Sequence, residues 1–170
     1  FTVSVPEMDL EEVLKKLKEN GYDGVDWRVT AIPTDPEILA EKPSYWRNNL
    51  CTIDIDKVEE KAEEIRALTE KYGLEINALA TYLECSTDPA KIESCMIAAK
   101  KMGCTRIRVN ALRYDKEKGY TQLFAEAVSG FKKVEELAKK HGVKADFEMH
   151  DGTSTASASA SRRLASHFEP

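Results

Sequence analysis

His141-Gly142-Val143-Lys144-Ala145-Asp146-Phe147-Glu148-Met149-His150-Asp151-Gly152 closes a charged helical stretch on a glycine and then alternates apolar and polar residues. Glycine just past a helix adopts the left-handed conformation that satisfies the last carbonyls, so the junction reads as a helix stop leading into a strand. Along that strand Asp146, Glu148 and His150 share one face, because side chains alternate with period two. Three polar groups on one side of a packed strand need either buried partners or a cavity to look into. The segment is therefore both a fold signal and a site candidate.

The same punctuation recurs upstream at Asn20-Gly21, Tyr72-Gly73 and Met102-Gly103. Outward from these junctions, Phe1 to Val5 is predicted as a first strand and Leu10 to Glu19 as a helix capped by Asp9. Strands are predicted at Gly24 to Val29, Leu74 to Tyr82, Thr105 to Leu112 and Val143 to His150, and helices at Ile55 to Lys71 and Tyr120 to Lys140. Asp88-Pro89 opens a further helix that ends near Lys101, since proline in the first turn sacrifices no hydrogen bond. A short helix over Ser161 to Phe168 completes the pattern. Strands alternating with helices imply a parallel sheet with right-handed crossovers.

Two stretches fall outside this grammar. Thr30 to Thr52, with Pro33, Pro36, Pro43, Trp46 and Arg47, is longer than an ordinary connection and reads either as a lid over the strand ends or as a surface excursion anchored by Tyr45 and Trp46. Gly152 to Ser161, GTSTASASAS, is a low-complexity run of small residues that reads as a loop or flexible linker, native or engineered.

At 170 residues the chain holds one substantial core, so a single domain over 1–170 is expected. Composition, 42% apolar and 32% charged, suits a folded, soluble protein rich in amphipathic helix. With net charge −5 and basic residues interleaved with glutamates, nucleic-acid binding is not expected. Neither a membrane span nor a secretory signal is visible. Cys51, Cys85, Cys95 and Cys104 match no zinc or disulfide spacing, which favours a reducing cytoplasm.

Asp26 and Arg28 alternate with Val25 and Trp27, and Arg106, Arg108 and Asn110 alternate with Ile107 and Val109, as the acidic strand also does. An apolar parity under helices and a polar parity facing inward fits a barrel with a solvated mouth at the C-terminal strand ends. Asn110 and Arg113 would lie at that rim with Asp26 and Arg28. Layered ion pairs among Arg28, Arg108, Asp26 and Asp146 are the competing account. A carboxylate such as Glu148, aimed into the mouth, suits a divalent cation: Mg²⁺, Mn²⁺ or Zn²⁺. His141 is read as a helix C-terminal cation. No phosphate-binding glycine loop, nucleophile elbow or HExxH is present.

Gly21-Tyr22-Asp23-Gly24-Val25-Asp26-Trp27 and Phe147-Glu148-Met149-His150-Asp151-Gly152 resemble the xylose isomerase-like sugar phosphate isomerase/epimerase superfamily. The resemblance implies an α/β fold, here a partial TIM (β/α)8 barrel of about five parallel βα units. It further implies a metal-dependent proton transfer between adjacent carbons of a sugar or sugar phosphate through an enediolate. Glu148 maps onto the first metal ligand and, with His150, onto the catalytic groups; Arg28, Asn110 and Arg113 are the expected substrate contacts. The family draws its other ligands, an aspartate, a histidine and a second glutamate, from strands six to eight. The chain stops after five units, so the expectation is an N-terminal portion, inactive by itself and binding metal weakly. The alternative is a partial-barrel scaffold that self-associates through open sheet edges as a homo-oligomer. A flavodoxin-like binding module is a third reading, disfavoured by the missing phosphate loop.

Overall fold

The structure, a computed structural model, describes residues 1–169. Five parallel strands form one sheet in the order β2-β1-β3-β4-β5: β1 Gly24–Thr30, β2 Ile53–Asp54, β3 Glu75–Glu84, β4 Arg106–Asn110 and β5 Lys144–Asp146. Between them run α1 Leu10–Glu19, α2 Pro36–Leu39, α3 Ala62–Lys71, α4 Pro89–Lys101 and α5 Gly119–His141, with α6 Ala158–Ala165 at the end. This is the α/β arrangement of a partial TIM barrel.

Local signals explain most boundaries. Asp9 accepts from the Glu11 and Glu12 amides while Glu12 reaches back to the Asp9 amide, a capping box that starts α1. The Asp88 carboxylate accepts from the Ala90 amide and Pro89 follows as the first helical residue of α4. Gly142 stops α5 at φ 65°, where a side chain at Cβ would be strained.

One sheet face is apolar. Val25, Trp27 and Val29 of β1, Leu79 and Leu83 of β3, and Ile107 and Val109 of β4 form one cluster with Val13 and Leu14 of α1, Ile65 of α3, Ile92 of α4 and Phe131 of α5. Each such side chain fully buried contributes about 1.5–3 kcal/mol. That burial, repeated strand by strand, fixes which parity faces the helices and therefore which faces away.

Several expected boundaries differ. Phe1 to Val5 is not a strand: Thr2–Ser4 make a 3₁₀ turn. The Thr2 hydroxyl accepts from the Arg28 amide and donates to the Cys51 carbonyl, so a side chain replaces the ladder and β2 takes the edge beside β1. Ile55 to Lys71 is not one helix, because Asp54 accepts from the Asp56 amide and closes a separate 3₁₀ turn, Ile55–Lys57, ahead of α3.

β5 ends at Asp146 rather than His150. Past Asn110 the chain leaves β4 and meets the following loop instead: the Tyr114 amide donates to Gly152 O at 2.7 Å and the Ser154 amide to Leu112 O at 2.9 Å. The last pair of the ladder is Arg108 with Asp146, and residues 147–151 are not paired as strand although β4 itself runs on to Asn110.

The run 152–161 is exposed over much of its length but anchored at two points and at the start of α6. Ser154 and Thr155 are buried, Thr155 Oγ1 donates to Glu148 O at 2.9 Å, and Ser157 caps α6 by accepting from the Ala160 amide.

Candidate active site

The sheet face turned away from the helices carries a chain of polar contacts. In register across it lie Arg28, Ala80, Arg108 and Asp146. Ala80 is small, so the two flanking arginines lean toward Tyr82, two residues further along β3. The Arg28 Cζ lies 5.2 Å and the Arg108 Cζ 4.9 Å from the Tyr82 ring centroid. A phenol ring between two guanidinium groups stabilises both through its electron-rich face.

From this centre the contacts run both ways. Arg108 Nη1 donates to Glu148 Oε2 at 2.9 Å and its Nε to Thr81 O at 3.1 Å. Arg28 Nη1 donates to Thr52 Oγ1 at 2.6 Å. Arg106 holds Asp146 through two hydrogen bonds, at 2.8 and 3.0 Å, and that pairing raises the Arg106 pKa. Asp26 takes the Asn77 side-chain amide at 2.6 Å. Ion pairs and a lined face thus coexist: Arg106–Asp146 and Arg108–Glu148 are paired, whereas Asp26 and Arg28 are not paired with each other.

Glu148 reaches this face although it lies beyond β5. Phe147 packs on Phe131, ring centroids 5.4 Å apart, so the next side chain turns to the opposite side. Its carboxylate is 46% exposed and meets Arg108. His150 lies further out; its Nδ1 is 2.7 Å from Asp151 O and its carbonyl accepts from the Thr153 hydroxyl. Asn110, half-buried, ends β4, and its carbonyl accepts from the Cys85 amide. Arg113 is bridged through its backbone to Thr153, while its side chain, 88% exposed, stands 3.9 Å from Glu84. The structure therefore brings Glu148 and Arg28 into one chain of contacts and leaves Asn110, Arg113 and His150 along the rim.

Sequence reading passed over Arg108 as a site group, Tyr82 and Thr52. Tyr82 has the right parity, two residues past Ala80, and that was the available signal. Thr52 had none, because its position depends on how the long loop returns.

That loop, residues 30–52, places Trp46 at 6.2 Å from Tyr82 and leaves it 65% exposed. Asn48 supports the turn at φ 48°, with Nδ2 donating to Leu39 O and Glu41 O.

Among the described residues no group of three or more His, Cys, Asp or Glu side chains could hold a metal ion. Glu148 is one carboxylate with an oxygen already on a guanidinium. The donors present do not fit a resident divalent cation.

The family model for the xylose isomerase-like TIM barrel matches residues 14–170. No curated protein matches the chain. Among solved structures, the probable 3-DHS dehydratase AsbF from Bacillus anthracis superposes with a TM-score of 0.69 at 20% identity, over 98% of this chain and 57% of its own. The 3-keto-D-glucoside 4-epimerase YcjR from E. coli gives 0.65 at 16% identity, over 92% and 58%. The IOLI protein with a bound zinc atom gives 0.65 at 14% identity, over 97% and 56%. The chain thus spans a little over half the length of each of these proteins. With five parallel strands in one sheet and a family match over nearly all of its residues, the chain belongs to the xylose isomerase-like TIM barrel family.

Proposed function

We propose that the chain supplies the substrate-facing part of a sugar isomerase or epimerase site, one that moves a proton between adjacent carbons of a ketose or aldose. The supporting observation is the contact chain Glu148–Arg108–Tyr82–Arg28–Thr52, which spans the polar face from the end of β5 to the loop before β2. In this reading Arg28, Asn110 and Arg113 hold the sugar, Glu148 and His150 face its reacting carbons, and residues 30–52 cover it with Trp46 as the contact. Hydroxyl-rich ligands need such closely spaced donors and acceptors beside an aromatic surface.

Glu148 is the residue that the family resemblance assigns to a metal ligand, and the solved relative with zinc supports metal use by a whole barrel. This chain's own donors do not complete such a site, so the chain by itself does not perform the proton transfer. Four free, buried thiols support a reducing, cytoplasmic setting. No helix among the described residues is long and apolar enough to cross a membrane, and the acidic balance disfavours nucleic acid as a partner.

Saturation-transfer NMR with a panel of ketoses and ketose phosphates tests sugar binding; the expected signal weakens in Asn110→Ala, and silence across the panel refutes the reading. Calorimetric titration with Mn²⁺ is expected to show no saturable binding. Saturable binding that disappears in Glu148→Ala would overturn the account of the metal.

A second reading, self-association without catalysis, is favoured by the edge at β5. The Lys144 amide donates to Thr105 O, so alternation turns the Ala145 N–H and C=O away from β4. An unpaired strand edge is a template for a second copy.

A further inference from the structure

Arg28 differs from the other arginines of the polar face. Arg106 and Arg108 each hold a carboxylate, Asp146 and Glu148. Arg28 is more deeply buried than either, 7% exposed, yet it is joined to no carboxylate among the described residues. Its one hydrogen bond goes to Thr52 Oγ1, and its Nε is buried with no partner. The Thr52 hydroxyl donates to Asn49 O at 2.8 Å, which turns a lone pair toward the guanidinium and fixes its plane.

A buried cation without a counter-ion is costly, and Tyr82 offsets that cost only in part. A guanidinium has donors and no acceptor, so the group that completes this arrangement must accept hydrogen bonds and carry negative charge. Planar or tetrahedral oxyanions fit its fork. Glu148 cannot serve, because it is on Arg108 at the far side of Tyr82.

We propose that Arg28 is the floor of an anion subsite on the polar face, built to take the phosphate or carboxylate of an anionic sugar derivative. The proposal rests on the sugar-site reading and narrows it: the preferred ligand is charged. Thr52 orients the guanidinium, and Trp46 stands beside Tyr82 at the solvent side.

The test is calorimetric titration of the chain with fructose, fructose 6-phosphate, gluconate and inorganic phosphate. The expected result is that one anionic sugar binds about tenfold or more tightly than fructose, the margin of a charge-assisted contact. The phosphate and carboxylate arms tell which oxyanion is meant. Arg28→Gln should bring the anionic ligand to the fructose level, and Arg28→Lys should retain part of the preference. Arg28→Gln gives up the Tyr82 and Thr52 contacts as well as the buried charge, so circular dichroism first checks that it is folded; if that variant fails to fold, Arg28→Lys carries the comparison. Equal binding of charged and neutral sugars, or a preference that survives Arg28→Gln, overturns the subsite and leaves the sugar reading standing. Arg28-dependent binding of inorganic phosphate with no sugar bound does the reverse.

Discussion

Gly130→Ala is a sharp test of how the wall behind the candidate site is packed. Gly130 lies inside α5, where alanine ordinarily stabilises a helix by about 1 kcal/mol relative to glycine. Here an added Cβ would stand 2.6 Å from Cys85 O, 3.0 Å from Cys85 C and 3.1 Å from Cys85 Sγ. An ordinary carbon–oxygen contact is about 3.3 Å or longer, so α5 must retreat by about 0.7 Å. The obstacle is backbone, and the Cys85 amide is tied to Asn110 O at 3.0 Å, so neither side yields freely. Overpacking of this kind costs about 1–3 kcal/mol, and the upper half of that range applies when main chain is displaced. The net expectation is a loss of about 1–2 kcal/mol despite better helix propensity, or roughly 2–8 °C in Tm for a chain of this length. Urea unfolding followed by circular dichroism measures it, with the exposed neighbour Ser129→Ala as the propensity control, expected neutral to slightly stabilising. A Gly130→Ala chain as stable as its parent would refute the close approach of α5 to the turn after β3.

The buried thiols set an alkaline limit. Burial pushes Cys51, Cys85 and Cys95 from 9.0 up to about 12. The folded chain keeps these protons while the unfolded chain releases them above pH 9, so the stability involved is complete below 9 and is lost as pH rises toward 12. The loss is at most about 1.4 kcal/mol per pH unit per thiol. Urea midpoints under reducing conditions should fall steeply between pH 9 and 11, and Cys95→Ala should flatten the slope; an unchanged slope contradicts the assignment. For the edge at β5, light scattering at rising concentration should show self-association that Ala145→Pro abolishes, since proline removes the outward N–H without touching the bond to β4. Monomers at every concentration exclude that reading.

What could be read in advance was what is decided locally. Gly21, Gly73, Gly103 and Gly142 each follow a helix and each take positive φ, because stopping a helix there needs only a residue that tolerates the left-handed region. Asp9 and Asp88 cap their helices through bonds two or three residues away. Strand parity was equally visible, since Val25, Trp27 and Val29 can bury only together. Partnership across the chain was not visible. Phe1 to Val5 has strand-like composition, but Thr2 meets Arg28 and Cys51 through its hydroxyl. Val143 to His150 alternates like a strand to its end, yet pairing stops at Arg108 and Asp146, two residues before β4 ends. The small residues of GTSTASASAS read as a spacer because their hydroxyls count as polar surface until a partner is known. Thr155 and Ser157 show that such groups can instead anchor a loop and start a helix. In the site, residue types pointed to Glu148 and Arg28, whereas the guanidinium that binds Glu148 depended on register between β4 and β5.

Trp27 and Trp46 occupy opposite extremes: the first is 0% exposed with an unbonded indole N–H, the second is 65% exposed beside Tyr45 and Tyr82. Their emission should therefore separate, blue for the enclosed indole and red for the wet one, with iodide quenching only the latter. Intrinsic fluorescence then offers two channels in one cuvette, one following global melting and the other following displacement of the 30–52 loop against the sheet.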